Sequence, residues 1–375
     1  MINKERVLAE FFQLVRIKCS TRAERQVADI LTVKLQELGM TVAEDDVGSK
    51  IDGNCGNVIA YAQGAVMGAP TVMLSAHMDC VEPCGGIEPQ LKDGIITSVG
   101  DTILGADDKA GIVAILEALR IIKEQKIPYG SIQVVFTVAE EGGLNGAQHI
   151  DQSVLKADFG YALDSSGAPG EIISMAPGQN SITATIHGKK AHAGIAPEEG
   201  VNSIVIAGMA LAEMNYGRID FETTANVGII HGGVATNIVP DQVEVQCEAR
   251  SRNMEKLANQ TMHMKETFER VASVNGARAE VVVTNAYAPY VLAEDAAVVA
   301  LAVAASKSIG LTPEIKATGG GSDANFFNNY GVPTAVLGVG MNKVHTAEEY
   351  IKEIDLYNSA ELVVALIKTA ATMKK

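Results

Sequence analysis

Two histidines and a set of carboxylates recur where apolar runs end. His77-x-Asp79 closes the run Leu74-Ser75-Ala76, and Asp107-Asp108 opens a helical segment inside Gly105-Ala106-Asp107-Asp108-Lys109-Ala110-Gly111. Glu140-Glu141-Gly142-Gly143 follows Thr137-Val138-Ala139, Asp164 ends Ala162-Leu163, and His345 follows the exit Leu337-Gly338-Val339-Gly340. Each has an ordinary structural reading: a buried histidine, a capping aspartate, a solvated acidic turn. Together they put imidazole and carboxylate donors at the strand ends of one sheet, the rim where α/β folds gather ligands. Such a donor set without thiolates suits zinc, and also manganese or cobalt. Two such ions about 3.5–4 Å apart, bridged by a carboxylate, activate a water and polarise a carbonyl. The adjacent glutamates then divide the work, one free as a general base and one bound to metal.

The elements that must position these groups follow from periodicity. Helical spacing covers Asn3–Val15, a second helix opened by a capping box at Thr21-Arg22-Ala23-Glu24, and Gly111–Lys123. Strands are expected at Asn57–Ala62, Thr71–Ala76, Ser131–Ala139 and Phe159–Leu163, and again at Thr334–Val339, with a closing helix Ile354–Met373. This alternation predicts an α/β fold, a mixed central sheet flanked by helices. Between Ser181 and Thr284 the order becomes β-α-β-β-α-β, the ferredoxin-like pattern of an inserted α+β domain. The expected division is therefore 1–177 plus 289–375 for a catalytic domain and 178–288 for an inserted lid and dimerisation domain.

The chain has 375 residues, 47% of them apolar and 20% charged, ample for a globular core. Its net charge of −15 makes nucleic acid an unexpected partner. No uncharged stretch reaches membrane-spanning length and no secretory leader pattern opens the chain, so a cytoplasmic protein with no membrane partner is expected. The five cysteines, Cys19, Cys55, Cys80, Cys84 and Cys247, are scattered and odd in number, which favours reduced thiols over a disulfide framework.

His77-x-Asp79, the run Gly105–Gly111, Glu140-Glu141-Gly142 and the late His345 together resemble the signature of the co-catalytic zinc exopeptidases, the family that includes peptidase T, glutamate carboxypeptidase, succinyl-diaminopimelate desuccinylase and the aminoacylases. Leu104–Gly111 is most similar to the peptidase T form. The resemblance spans essentially the whole chain. It implies two zinc ions, one held by His77 and Asp164, the other by Glu141 and His345, with Asp107 between them. It also implies that Asp79 orients His77, that Glu140 is the general base, that Asp108 is not a ligand, and that the peptide after Asp107 is cis. In the inserted segment it implies an oxyanion role for His192, commonly in the partner subunit's site, and substrate contacts for Asn237 and Arg250. Arg250 equally fits a surface ion pair. Where peptidase T carries an arginine before two glycines, this chain has Gly319, so that contact with a peptide carboxylate is missing or moved.

The expected activity is hydrolysis of amide bonds in short peptides by a peptidase T-like aminopeptidase, a tripeptidase, working as a homodimer. The alternatives are a deacylase of N-acyl amino acids or a carboxypeptidase of the same family, and a non-catalytic metal- or peptide-binding protein. A dinucleotide-binding oxidoreductase, suggested by Gly319–Gly321, lacks the required glycine spacing.

Overall fold

The computed structural model describes residues 2–374 and divides them into two compact units. The larger comprises residues 2–174, 292–317 and 322–374; the smaller comprises residues 175–291 and 318–321. The smaller unit is thus wider than the expected 178–288 and takes in the glycine run. Two contacts draw that run in: the Thr318 N–H donates to the Met175 carbonyl at 2.9 Å, and Arg252 Nη1 donates to the Thr318 carbonyl at 3.3 Å. At Gly321 a Cβ would run into the Tyr287 ring, so only glycine fits.

The larger unit is built on four parallel strands in the spatial order Ile132–Thr137, Val72–His77, Phe159–Ser165, Thr334–Gly338. Antiparallel strands Val58–Ala62 and Thr41–Glu44 extend one edge, and Glu171–Ala176 pairs antiparallel on the other. Every residue of Val72–His77 and Ile132–Thr137 is buried, as expected of parallel strands covered on both faces. Because the four run the same way, their C-terminal ends lie together, and each end leads into a chemically distinctive segment. His77 pairs with Thr137 and Gly338 with Ser165, which sets the relative height of those segments.

The helices follow their apolar faces. Lys4–Val15 is capped by Asn3, whose side chain accepts the Arg6 N–H, and buries Val7, Phe11 and Leu14 at i, i+4 and i+7. It packs with Ala106–Glu124 and Glu353–Ala370. The expected capping box does not form. The second helix starts at Arg25, and Glu24 has no capping bond. Thr21 Oγ1 instead donates to Asp79 Oδ2 at 2.8 Å, and Glu24 Oε1 accepts the N–H groups of Arg22 and Ala139 at 2.8 and 3.0 Å. Both side chains are recruited by the strand ends rather than by their own helix.

A small sheet runs Met341–Asn342, Tyr350–Lys352, Ile95–Ser98, Pro89–Lys92. It fixes both ends of the loop that carries His345.

The smaller unit has the strand order Gly217–Arg218, Thr223–Gly232, Gln242–Ser251, Gly178–His187, Arg278–Tyr287, entirely antiparallel. Helices Ser203–Glu213 and Met254–Val274 pack on it around Ile182, Val245, Phe268 and Met264. This is the ferredoxin-like arrangement that the element order predicts.

Candidate metal centre

Asp107 sits between the two histidines. Its Oδ1 lies 2.9 Å from His77 Nε2 and its Oδ2 lies 3.2 Å from His345 Nε2. Asp164 Oδ1 lies 3.9 Å from His77 Nε2, and Glu141 Oε1 lies 2.9 Å from His345 Nε2. The five side chains come from four different strand ends and from the start of helix Ala106–Glu124. They meet because that helix does not begin as one. Gly105 has φ +73°, and Asp107 and Asp108 have non-helical backbone angles, so the Asp107 carboxylate turns back over the sheet. The Asp107–Asp108 peptide is cis.

Glu140 and Glu141 diverge through a turn. Ala139 has φ +50°, and Gly143 N–H donates back to the Glu140 carbonyl at 2.9 Å. Asp79 anchors the same turn: its Oδ1 accepts the Glu140 N–H at 3.0 Å and its Oδ2 the Glu141 N–H at 3.2 Å. Asp79 also stands 3.3 Å through Oδ1, and 3.2 Å through its carbonyl, from His77 Nδ1.

The protonation of these groups says what belongs between them. His77 Nδ1 faces only acceptors and so carries a proton, which leaves the Nε2 lone pair aimed at the Asp107 carboxylate. At 2.9 Å, Nε2 and Asp107 Oδ1 form a hydrogen bond only when Nε2 carries a proton as well. Although burial opposes the charge, Asp107 and Asp79 hold the His77 pKa well above its ordinary value. The Asp107 and Glu141 carboxylates likewise push His345 up to about 10. Glu141 Oε1 is buried and accepts no hydrogen bond, although His345 Nε2 is close by. Imidazole nitrogens and carboxylate oxygens thus converge on common points, with His77 Nε2 and Asp107 Oδ1 in direct contact at 2.9 Å. A divalent cation satisfies such points better than extra protons do, so the donor set fits metal ions. His77, Asp107 and Glu141 form one group of mutually close candidate ligand atoms, and His77, Asp108 and Asp164 form another.

Asp108 differs from the rest. Its Oδ1 accepts the Gly111 N–H at 3.0 Å and its Oδ2 the His77 N–H at 3.3 Å, so both oxygens serve the backbone. Burial, then the charges of Asp164 and other neighbours, raises the pKa of Glu140 well above the ordinary carboxylate range. That carboxylate makes no ion pair among the described residues, which suits a group that exchanges a proton.

The smaller unit brings two of its three candidate residues together. His192 pairs with Ile238 in a two-residue ribbon, and the Ala193 N–H donates to the Asn237 carbonyl at 3.0 Å. His192 is exposed, and its Nδ1 accepts the Gly194 N–H at 3.2 Å. Arg250 is engaged by its neighbour on the same strand face: Nε and Nη2 donate to Glu248 Oε1 and Oε2 at 2.9 and 3.0 Å.

Three site-lining residues escape a reading of the sequence. Thr21 supports Asp79, as described. Asp323 Oδ2 accepts the Thr137 hydroxyl at 2.5 Å, and burial pushes its pKa up to about 6. Glu349 accepts three backbone N–H groups around Asp107. All five cysteines are free and buried. Cys19 Sγ lies 3.8 Å from Cys80 Sγ, and the buried Lys109 donates to Cys80 Sγ at 3.2 Å and to the Met78 carbonyl at 2.6 Å.

Residues 73–369 match the profile of peptidase family M20/M25/M40. The chain is 46% identical to the aminopeptidase PepT of Bacillus cereus ATCC 10987, whose crystal structure superposes with a TM-score of 0.92 over 99% of this chain and 100% of that one. A tripeptidase structure from Staphylococcus aureus subsp. aureus Mu50 is 42% identical, with a TM-score of 0.96 and all of both chains covered. The protein YqjE of Bacillus subtilis (strain 168), itself uncharacterised, is 43% identical over 99% of this chain and 100% of its own length.

Proposed function

Since this chain belongs to the peptidase family M20/M25/M40, and is therefore a metallopeptidase, we propose that it is a peptidase T-like aminopeptidase that removes residues from short peptides, tripeptides among them. One observation carries the reading: Asp107 presents a different oxygen to each of His77 and His345, with Asp164 and Glu141 behind them. In this assignment His77 and Asp164 would hold one zinc and Glu141 and His345 the second, with Asp107 serving both; cobalt or manganese could substitute. When bound, the ions supply the Lewis acid for the scissile carbonyl and lower the pKa of the attacking water.

The remaining steps belong to the chain's own groups. Asp79 holds His77 in the tautomer that offers Nε2. Glu140 takes a proton from the attacking water and delivers it to the leaving amine nitrogen. His192 donates to the oxyanion, Asn237 binds substrate, and Arg250, once released from or shared with Glu248, receives a substrate carboxylate. Gly319 stands where an arginine for a peptide carboxylate is expected, which argues against strict tripeptide specificity; the second reading within the family is a deacylase of N-acyl amino acids or a carboxypeptidase. The test is a parallel assay of a tripeptide, a dipeptide and an N-acetyl amino acid on zinc-loaded protein. The proposal predicts that the tripeptide is cleaved fastest, from its amino end; fastest cleavage of the N-acetyl amino acid replaces it with the second reading.

The proposal extends to a homodimer formed through the smaller unit. Strand Thr223–Gly232 leaves Ile229 and Ile230 45% and 48% exposed, and helix Ser203–Glu213 exposes Val205 and Met209. No helix among the described residues is long and apolar enough to cross a membrane. Five unpaired cysteines suit the reducing cytoplasm as the place of action.

A further inference from the structure

Glu349 is 1% exposed. Its Oε2 accepts the N–H groups of Leu104 and Gly105 at 2.8 Å each, and its Oε1 accepts the N–H of Asp107 at 3.0 Å. Among the described residues no lysine or arginine pairs with it, so these backbone donors are what the buried charge has. It also lies four residues after His345, on a segment tightened by the Glu349 N–H donating to the Thr346 carbonyl at 3.1 Å. His345 and Lys343 both occupy left-handed backbone, at φ +64° and +51°, so the loop is compact between its strands. One short segment therefore presents His345 and also grips the turn that presents Asp107.

We propose that Glu349 is a positioning residue that fixes Asp107 against His345 and so sets the second of the two cation positions. It touches neither substrate nor cation and acts through the backbone of residues 104–107. The inference rests on the assignment of Asp107 and His345 as metal ligands. The chemistry of the contact makes it specific. A carboxylate offers acceptors on both sides; a glutamine of the same shape turns one side into a donor, which then faces either the Leu104 and Gly105 N–H groups or that of Asp107. Outer partners of this kind typically change metal affinity by about 10–100-fold.

The test compares wild type, Glu349→Gln and Glu349→Asp by equilibrium dialysis of metal-free protein against buffered Co²⁺, with cobalt counted by mass spectrometry and near-UV circular dichroism as the fold control. Glu349→Asp keeps the charge but withdraws it by one methylene, so loss of fold in one variant leaves the other to decide. The expected result is one equivalent weakened by about 10-fold or more and the other by clearly less, with kcat falling while KM stays near its wild-type value. Unchanged affinity for both equivalents with unchanged kcat overturns the inference alone. Equal weakening of both equivalents, with KM and kcat impaired together, marks a merely structural residue and also overturns it. Wild-type protein that takes up fewer than two equivalents removes the metal assignment itself.

Discussion

At the scale of single residues, the site is a contest between burial and charge. Glu140 and Glu141 are neighbours in sequence, yet one lies beside His345 and the other makes no ion pair among the described residues. The proposal gives them separate tests. Glu140→Gln is expected to lower kcat by about 10²–10⁴-fold with metal content retained, measured by steady-state kinetics beside metal analysis; activity near wild type contradicts the general-base role. Glu24 supplies a prediction about stability. It is fully buried, Oε2 has no hydrogen-bond partner, and burial with the nearby Asp79 charge pushes its pKa up from 4.5 to about 7. A carboxyl raised on folding favours the folded state at pH below 4.5, and that contribution is lost as pH rises through about 7. Glu24→Gln should therefore gain stability relative to wild type between pH 5 and pH 8, by up to about 3 kcal/mol, in denaturant titrations at the two values. A pH-independent difference contradicts it. The histidines and acids were legible in the sequence because their types and strand-end spacing announce them. Thr21 and Glu349 were not, because their partners lie 58 and 242–245 positions away and only the fold supplies them.

At the scale of elements, long apolar runs such as Ile132–Thr137 and amphipathic helices such as Met254–Val274 could be read to within a few residues. The hairpin Pro89–Lys92 with Ile95–Ser98 could not: its strands are four residues each, largely exposed and carry Gln90 and Lys92. Glu171–Ala176 escaped for another reason, since its neighbour Thr334–Gly338 lies far along the chain. The capping-box motif misled because Thr21 and Glu24 had stronger partners at the strand ends. Helix Ala106–Glu124 lies so close to the sheet that a Cβ on Gly111 would stand 2.6 Å from the Leu163 carbonyl and 2.5 Å from Asp108 Oδ1. Gly111→Ala should cost about 1–3 kcal/mol of stability through overpacking and displace Asp164, the next residue along. Thermal unfolding with zinc-binding measurements checks this; an unchanged midpoint would show that helix and strand can part freely.

At the scale of the whole molecule, the chain joins a larger unit that carries the candidate metal ligands to a smaller one with an open sheet edge. The β-α-β-β-α-β order made the insert legible, whereas the capture of Thr318–Gly321 by the smaller unit depends on contacts with Met175 and Arg252 that no local pattern announces. If the exposed edge at Ile229 and Ile230 is the dimer contact, Ile230→Lys should convert dimers to monomers in light scattering. With His192 serving the partner's site, those monomers should lose about 10²–10³-fold in kcat, as His192→Ala should. A wild-type monomer with full activity contradicts the dimer and the role in trans together. Diffraction from zinc-soaked crystals, recorded on both sides of the zinc absorption edge, should give a pair of anomalous peaks flanking the Asp107 carboxylate, one beside His77 and Asp164 and the other beside Glu141 and His345. A single peak, or peaks elsewhere with Asp107 still bonded directly to both histidines, would contradict it.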